Sequence, residues 1–224
     1  MLKFSLLKCL PALAVAAMLA ACAGPQKHAT DYTAFKNARP KSILVLPPLN
    51  ETVDVNATNG MLSQMTMPLA ESGYYVLPVA EVAETFRQNG MTMPAEMQAT
   101  SPKKLREIFG ADAALYAKVT QYGSVYQVVD SNTVVAASAK LVSLDNGDVL
   151  WEGSASANGK ELGSVDLGGG SIVGMLVQAA VKQVAHSLSD ESQNVAGLTS
   201  RKLLSAGQPN GLLYGPHSPK YGTD

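Results

Sequence analysis

The residues that decide the fold class are TVVAASAKLVSL (133–144), DNGD (145–148) and VLWEGSASA (149–157). Two stretches of β-branched and small residues flank an Asn-Gly pair. Asn146-Gly147 predicts a two-stranded hairpin closed by a type I′ turn, because both central residues of that turn need positive φ. Just upstream, Ala113, Leu115, Ala117 and Val119 alternate with Ala114, Tyr116, Lys118 and Thr120. That period of two is a third strand, apolar on one face and more polar on the other.

Further toward the N-terminus, Ile43 to Leu46 form a short apolar run between Pro40 and Pro47-Pro48. So short a run, bounded by turn residues, reads as a buried strand. YYVLP (74–78) supplies another. Between these strands lie helical patterns. One covers 56–73, where Pro68 implies a break or a late start. A second covers 79–90, with Val79, Val82, Ala83 and Phe86 on one face and Asn89-Gly90 as the stop. A third covers 101–110, with Ser101 as N-cap, Pro102 at the first helical position and Gly110 as the end. Residues 168–190 carry an apolar stripe of Val173, Val177, Ala180, Val181, Val184 and Leu188, which predicts a last helix packed on a sheet. The predicted order is β-α-β-α-α-β-β-β-α: an α+β, α/β-like domain with a mixed sheet of about five strands and helices packed on it. The expected divisions are a signal peptide at 1–21, a lipidated tether at 22–39, a globular α/β domain at 40–190, and an irregular C-terminal extension at 191–224, rich in Gly and Pro.

Among the 224 residues, 46% are hydrophobic and 16% charged, with a formal net charge of −1. Nothing in that balance suggests a nucleic-acid partner. The N-terminus is more informative. Lys3 and Lys8 precede the apolar run Leu10 to Ala21, whose 12 residues fall short of the roughly 20 needed to span a bilayer. The run ends Leu19-Ala20-Ala21-Cys22. A Cys directly after Leu-Ala-Ala resembles the bacterial lipobox, a signal peptidase II site at which the thiol receives diacylglycerol and the preceding peptide is removed.

Cleavage there would discard Cys9 and leave Cys22 as the single thiol, which has no partner for an internal disulfide. Without His or acidic neighbours at ligand spacing it makes a poor metal site. At a polar N-terminal tether nothing would orient a base beside it. Attachment is the remaining role. The remaining chain carries 15 basic and 18 acidic residues, so anchoring would rest on acyl chains at roughly 0.8 kcal/mol per buried methylene rather than on a basic patch. Ala23 stands where lipoproteins retained in the inner membrane commonly carry Asp, which implies the outer membrane.

The rest of the chain is poor in catalytic pattern. His28, His186 and His217 read as solvated side chains, and Glu71, Glu81, Glu84 and Glu107 as helix-surface acids. There is no G-x-S-x-G, H-E-x-x-H or P-loop. DLGGGSIVG (166–174) lacks the spacing of a phosphate loop and reads as a linker. Met61, Met65, Met67 and Met91, Met93, Met97 form two clusters; soft thioethers suit copper(I), but Met also fills irregular apolar gaps. No cofactor is expected. Tyr74, Tyr75, Tyr116, Tyr122 and Tyr126 accompany the strands, as packing or as a partner surface.

PKSILVLPP, GMLSQ, PLAESGYYVLPVA, ETFRQNG, IFGADAALYAKVTQYGSVYQV and LLYGPHSPKY together resemble the bacterial lipoprotein family catalogued as domain of unknown function 799, from about Pro40 to Tyr221. The element order is also similar to the periplasmic α/β domain of the curli secretion lipoprotein CsgG, the penicillin-binding-protein activator LpoB and the TolB N-terminal domain. The resemblance implies a lipoprotein held in the outer membrane through Cys22, its domain in the periplasm or on the cell exterior. It would bind an envelope protein or its own copies, as an accessory to envelope assembly or a CsgG-type secretion system. The alternative it implies is an LpoB-like activator of peptidoglycan synthesis; an enzyme or metal carrier is the third class. No amphipathic hairpins suited to a CsgG-like barrel are evident.

Overall fold

Ile43 and Val45 of strand β1 (Ser42–Val45) point into one apolar cluster and Leu44 with the following Leu46 into another, all fully buried. A strand buried on both faces sits inside a sheet with layers on each side, which is why this run is continuously apolar rather than alternating. The computed structural model describes residues 30–127, 130–162 and 188–224, and residues 31–224 group as one compact unit.

The elements follow as α1 (Thr33–Ala38), β1, β2 (Leu49–Asn50), α2 (Ala57–Glu71), β3 (Tyr75–Val76), α3 (Val79–Gln88), α4 (Pro94–Gln98), α5 (Pro102–Phe109), β4 (Ala113–Gln127), β5 (Asp130–Ser143), β6 (Val149–Asn158), α6 (Gly159–Leu162) and α7 (Leu188–Leu204). The strands make one mixed sheet in the order β3-β1-β4-β5-β6. β1 runs parallel to β3 and β4, and β4, β5 and β6 are antiparallel neighbours.

The α+β class is as expected, with six strands among the described residues rather than about five. The sixth is β2, which lies parallel to β4 further along the same edge that β1 pairs with. Pro47 and Pro48, which lack N–H groups, split this line into two strands. Gln98 fills the gap: its Nε2 donates to Pro47 O (2.8 Å) and Ala117 O (3.0 Å), occupying a ladder carbonyl that no backbone donor reaches.

One sheet face carries the larger core. Met61, Met65 and Leu69 of α2, with Val195, Ala196 and Leu203 of α7, cover Ala113, Leu115, Ala117, Val119, Val135 and Leu141. On the opposite face α3, α4 and α5 bury Val82, Phe86, Met97 and Leu105 against Leu44, Leu46, Ala114 and Leu144, over the β1 side only. A bulge at Thr120, where the β4–β5 register shifts, turns Gln121 outward and Tyr122 into the larger core.

Four expectations change. The hairpin forms, but its turn is not type I′: of Asn146 and Gly147 only Gly147 has positive φ. Leu144 is fully buried and donates to Asp112 O, so the chain stays on the sheet past Ser143 and needs a longer loop, closed by Ser143 N→Asp148 O and Gly147 N→Ser143 O. Helix α2 runs through Pro68 unbroken: the proline forfeits its own N–H bond, and burial of Met61 and Met65 before it and Leu69 after it holds the helix against the sheet. The expected tether at 22–39 contains α1, pinned by buried Phe35 and by Tyr32 Oη→Gly211 O (2.5 Å).

The expected boundary at 190 falls within α7. Beyond Leu204 the chain is irregular, yet Leu212 is buried and Trp151 Nε1 and Tyr74 Oη donate to Asn210 O and Leu213 O. The predicted helix at 168–190 lies almost entirely outside the described residues.

Candidate functional site

Leu19, Ala20, Ala21 and Cys22 lie outside the described residues, as do His28, His186 and the glycine run at 166–174. No described helix is long and apolar enough to cross a membrane. The methionine clusters separate: Met61 and Met65 are buried on the α2 side, Met97 lies in the other core, and Met67 and Met93 are exposed. Met61 Sδ accepts a hydrogen bond from buried Ser200 Oγ (3.6 Å), the behaviour of a core side chain. No described group of three His, Cys, Asp or Glu residues could hold a metal.

What the fold does build is a half-open sheet. Helices α3 to α5 stop over β1 and the start of β4, and among the described residues the outer face of β4, β5 and β6 is a concavity of about 800 Å³. Its floor between the outward side chains is sheet backbone, at Ala117, Ala139 and Gly153 among others, residues that turn their side-chain positions to the covered face. Its walls alternate in charge. Tyr116, Lys140 and Glu152 stand opposite one another across the three strands, with Lys140 Nζ 5.5 Å from the Tyr116 ring centroid. One register step along, Lys118 faces Ser138 and Ser154 in a second row and pairs with Glu51 at 3.1 Å.

Burial raises the Tyr116 pKa, so the phenol stays neutral and able to donate a hydrogen bond throughout the physiological range. The concavity holds the Tyr116 phenol and the hydroxyls of Ser138 and Ser154, with no histidine among its described lining residues. It offers an aromatic ring, paired charges and a flat backbone, which is chemistry for recognising a surface.

Sequence reasoning located the strands but missed a second feature. Loop 51–56 is tied by Asn50 Nδ2→Asp54 O (2.8 Å), Thr52 N→Asn50 Oδ1 (2.8 Å) and Asn56 N→Asp54 Oδ1 (2.8 Å). These turns hold Val53 and Val55 outward, at 101% and 84% exposure. The alternation Thr-Val-Asp-Val between Asn50 and Asn56 was the available signal. Beside the loop, Tyr122 lines a cleft of about 520 Å³ with Asp54, Ser63 and Ser192; burial, and then the Asp54 carboxylate, raise its pKa. Tyr122 Oη approaches Gly60 so closely that a side chain there would collide with it.

Fold and surface together define a class: a single-sheet α/β domain whose described helices close one face and cover half of the other. Within it the chain belongs to the family described as "Putative lipoprotein GNA1162-like", whose model matches residues 30–217. A curated relative, "Putative lipoprotein NMB1124/NMB1162" of Neisseria meningitidis serogroup B, is 48% identical over 204 residues, 91% of this chain and 93% of the relative. The crystal structure of lipoprotein GNA1162 from Neisseria meningitidis is 52% identical and superposes with a TM-score of 0.51 over 66% of this chain and all of that one. The LpoB C-terminal domain from Salmonella enterica is more distant, at 20% identity and a TM-score of 0.38 over 52% of this chain and 81% of that one.

Proposed function

We propose that this chain is a non-catalytic lipoprotein, anchored in the outer membrane through Cys22 after cleavage behind Ala21, whose α/β domain docks a protein partner in the periplasm. The observation that carries the reading is the outer face of β4, β5 and β6, which no described helix covers and whose Tyr116, Lys118, Lys140 and Glu152 fit recognition of another surface. A lipid at the N-terminus would keep the domain at the membrane, which suits an accessory of envelope assembly or of a CsgG-type secretion system. Membership of a lipoprotein family supports the anchor. Activation of a peptidoglycan synthase is the special case in which the docked partner is that enzyme, and a direct synthase assay separates it.

Affinity capture from solubilised membranes tests the docking surface. Wild-type chain should recover a discrete partner that Lys140→Glu loses and that a charge reversal at exposed Lys103 on α5 retains. Equal recovery by all three would reject the face as the docking site.

A further inference from the structure

Among the described residues strand β6 is an edge of the sheet, and the phase of its hydrogen bonding follows from the ladder inward. Leu46 N and Glu51 N donate to Leu115 O and Val119 O, so the odd residues of β4 before the bulge turn toward β1 and β2 and the even ones toward β5. The pairs Tyr116↔Lys140 and Lys118↔Ser138 then direct the odd residues of β5 toward β6. Their partners, Trp151, Gly153 and Ala155, point inward, which leaves Glu152, Ser154 and Ser156 with backbone groups facing out. Two side-chain contacts agree with this phase: Asn158 N donates outward to Glu161 Oε1 (3.2 Å), and Ser156 O accepts from Lys202 Nζ (3.2 Å).

Asn158 and α6 close one end of the edge. Between residues 152 and 156 the strand itself has no proline, no lysine and no bulge, and among the described residues the one side chain on its outward groups is Lys202 at Ser156 O. Its side chains beyond Glu152 are Gly, Ser and Ala, small enough for another backbone to approach. Such an edge is a template for strand addition.

We infer that this edge pairs antiparallel with the same edge of a second copy of this chain, about a two-fold axis at Ser154. The choice of occupant rests on self-complementarity. Centred on Ser154, the outward groups of one copy meet those of the other without remainder: Glu152 opposite Ser156, Ser154 opposite Ser154, and Ser156 opposite Glu152. Three narrow pairs make six N–H···O=C bonds, and Ser156 O accepts both Lys202 and the new strand through its two lone pairs. The charges fit as well. Each Glu152 faces a serine and lies four positions from its counterpart, roughly 13 Å at about 3.3 Å per residue, beyond the screening length of physiological salt. A register centred on Glu152 would set the two carboxylates face to face. An isologous pair of this kind joins the open faces of the two copies into one continuous surface.

Directly opposed residues of a narrow pair have Cα atoms about 5.5 Å apart, within disulfide range. The test uses the full-length chain with Cys9 and Cys22 replaced by serine, in detergent, under mild oxidation. Ser154→Cys should give a cross-linked band at twice the chain mass. Glu152→Cys and Ser156→Cys alone should not, while a mixture of those two should cross-link with each other. Ser154→Pro removes only an outward N–H, which an edge strand tolerates, and should abolish self-association at an unchanged far-UV spectrum. Failure of Ser154→Cys to cross-link, equal cross-linking at all three positions, or a Ser154→Pro chain that still self-associates would overturn the pairing. None of these outcomes bears on whether the open face docks another protein, which the capture experiment reads separately.

Discussion

Gly153→Ala should unseat the chain's single tryptophan. The Trp151 ring lies over Gly153 on the inner face of β6, nearly fully buried, and its Nε1 donates to Asn210 O at 3.0 Å, tying the irregular C-terminal segment to the sheet. A Cβ at position 153 would fall well inside contact with the ring. The ring must swing away. Losing its hydrogen bond costs about 1 kcal/mol, and overpacking a close-packed site adds about 1–3 kcal/mol. Replacing glycine in a strand returns about 0.5–1 kcal/mol. The net is a loss of about 2 kcal/mol, or roughly 4–8 °C in thermal midpoint for a domain of this size. Because only one tryptophan is present, its emission reports this site alone, and it should shift to longer wavelength as the ring meets water. Ser154→Ala, one residue on and pointing to the open face, should change neither quantity. An Gly153→Ala chain with wild-type midpoint and emission would refute the packing argument.

Three further outcomes follow from single contacts. Gln98→Ala orphans the carbonyls of Pro47 and Ala117 and should cost about 1–2 kcal/mol in urea unfolding, with faster amide exchange in α4. Asp112 is opposed by desolvation but held below the usual carboxylate range by hydrogen bonds from Lys41 N, Ser42 N and Ser42 Oγ, with Arg106 adding. A depressed carboxylate stabilises above its unfolded value, near 3.9, and that contribution disappears as pH falls through the folded value. Asp112→Ala should therefore cost about 1–2 kcal/mol at pH 7 and progressively less as the pH falls below about 4, measured by urea unfolding across pH. Met61→Ala should destabilise by about 2–5 kcal/mol through a core cavity, and copper(I) should leave the Met61 and Met65 methyl resonances of the wild type unmoved.

The elements legible from sequence were those specified by neighbours in the chain. The apolar run at Ile43–Leu46, the hairpin around Asn146-Gly147, and the Ser101 cap with its Gly110 stop, φ +68°, all rest on local chemistry. What escaped depends on residues far apart. The Gly- and Pro-rich end of the chain reads as irregular, and it is irregular past Leu204. It is held by residues far away in the chain: Tyr32, Tyr74 and Trp151 donate to its carbonyls from 59 to 179 positions away, and its own Gly215 and His217 N–H groups donate to the carbonyls of Ser72 and Gly73. Helix α1 escaped for the same reason, since Phe35 finds its apolar surroundings only once the tail and sheet are assembled. The turn type was misjudged because Leu144, buried against α3 and α5, lengthened the loop. For the site, the alternation of Tyr116 and Lys118 marked a polar face. That α3 to α5 stop short of it depends on their placement over β1, which no local pattern encodes.

Docking on the open sheet face is most directly tested by a photoreactive residue at Ser138, in the middle of β5, in cells producing the lipid-anchored chain. The account predicts adducts of discrete mass at 138 and none from the same probe at Lys103, exposed on α5 across the molecule's covered part. No adduct at 138, or the same adducts at both positions, would contradict it.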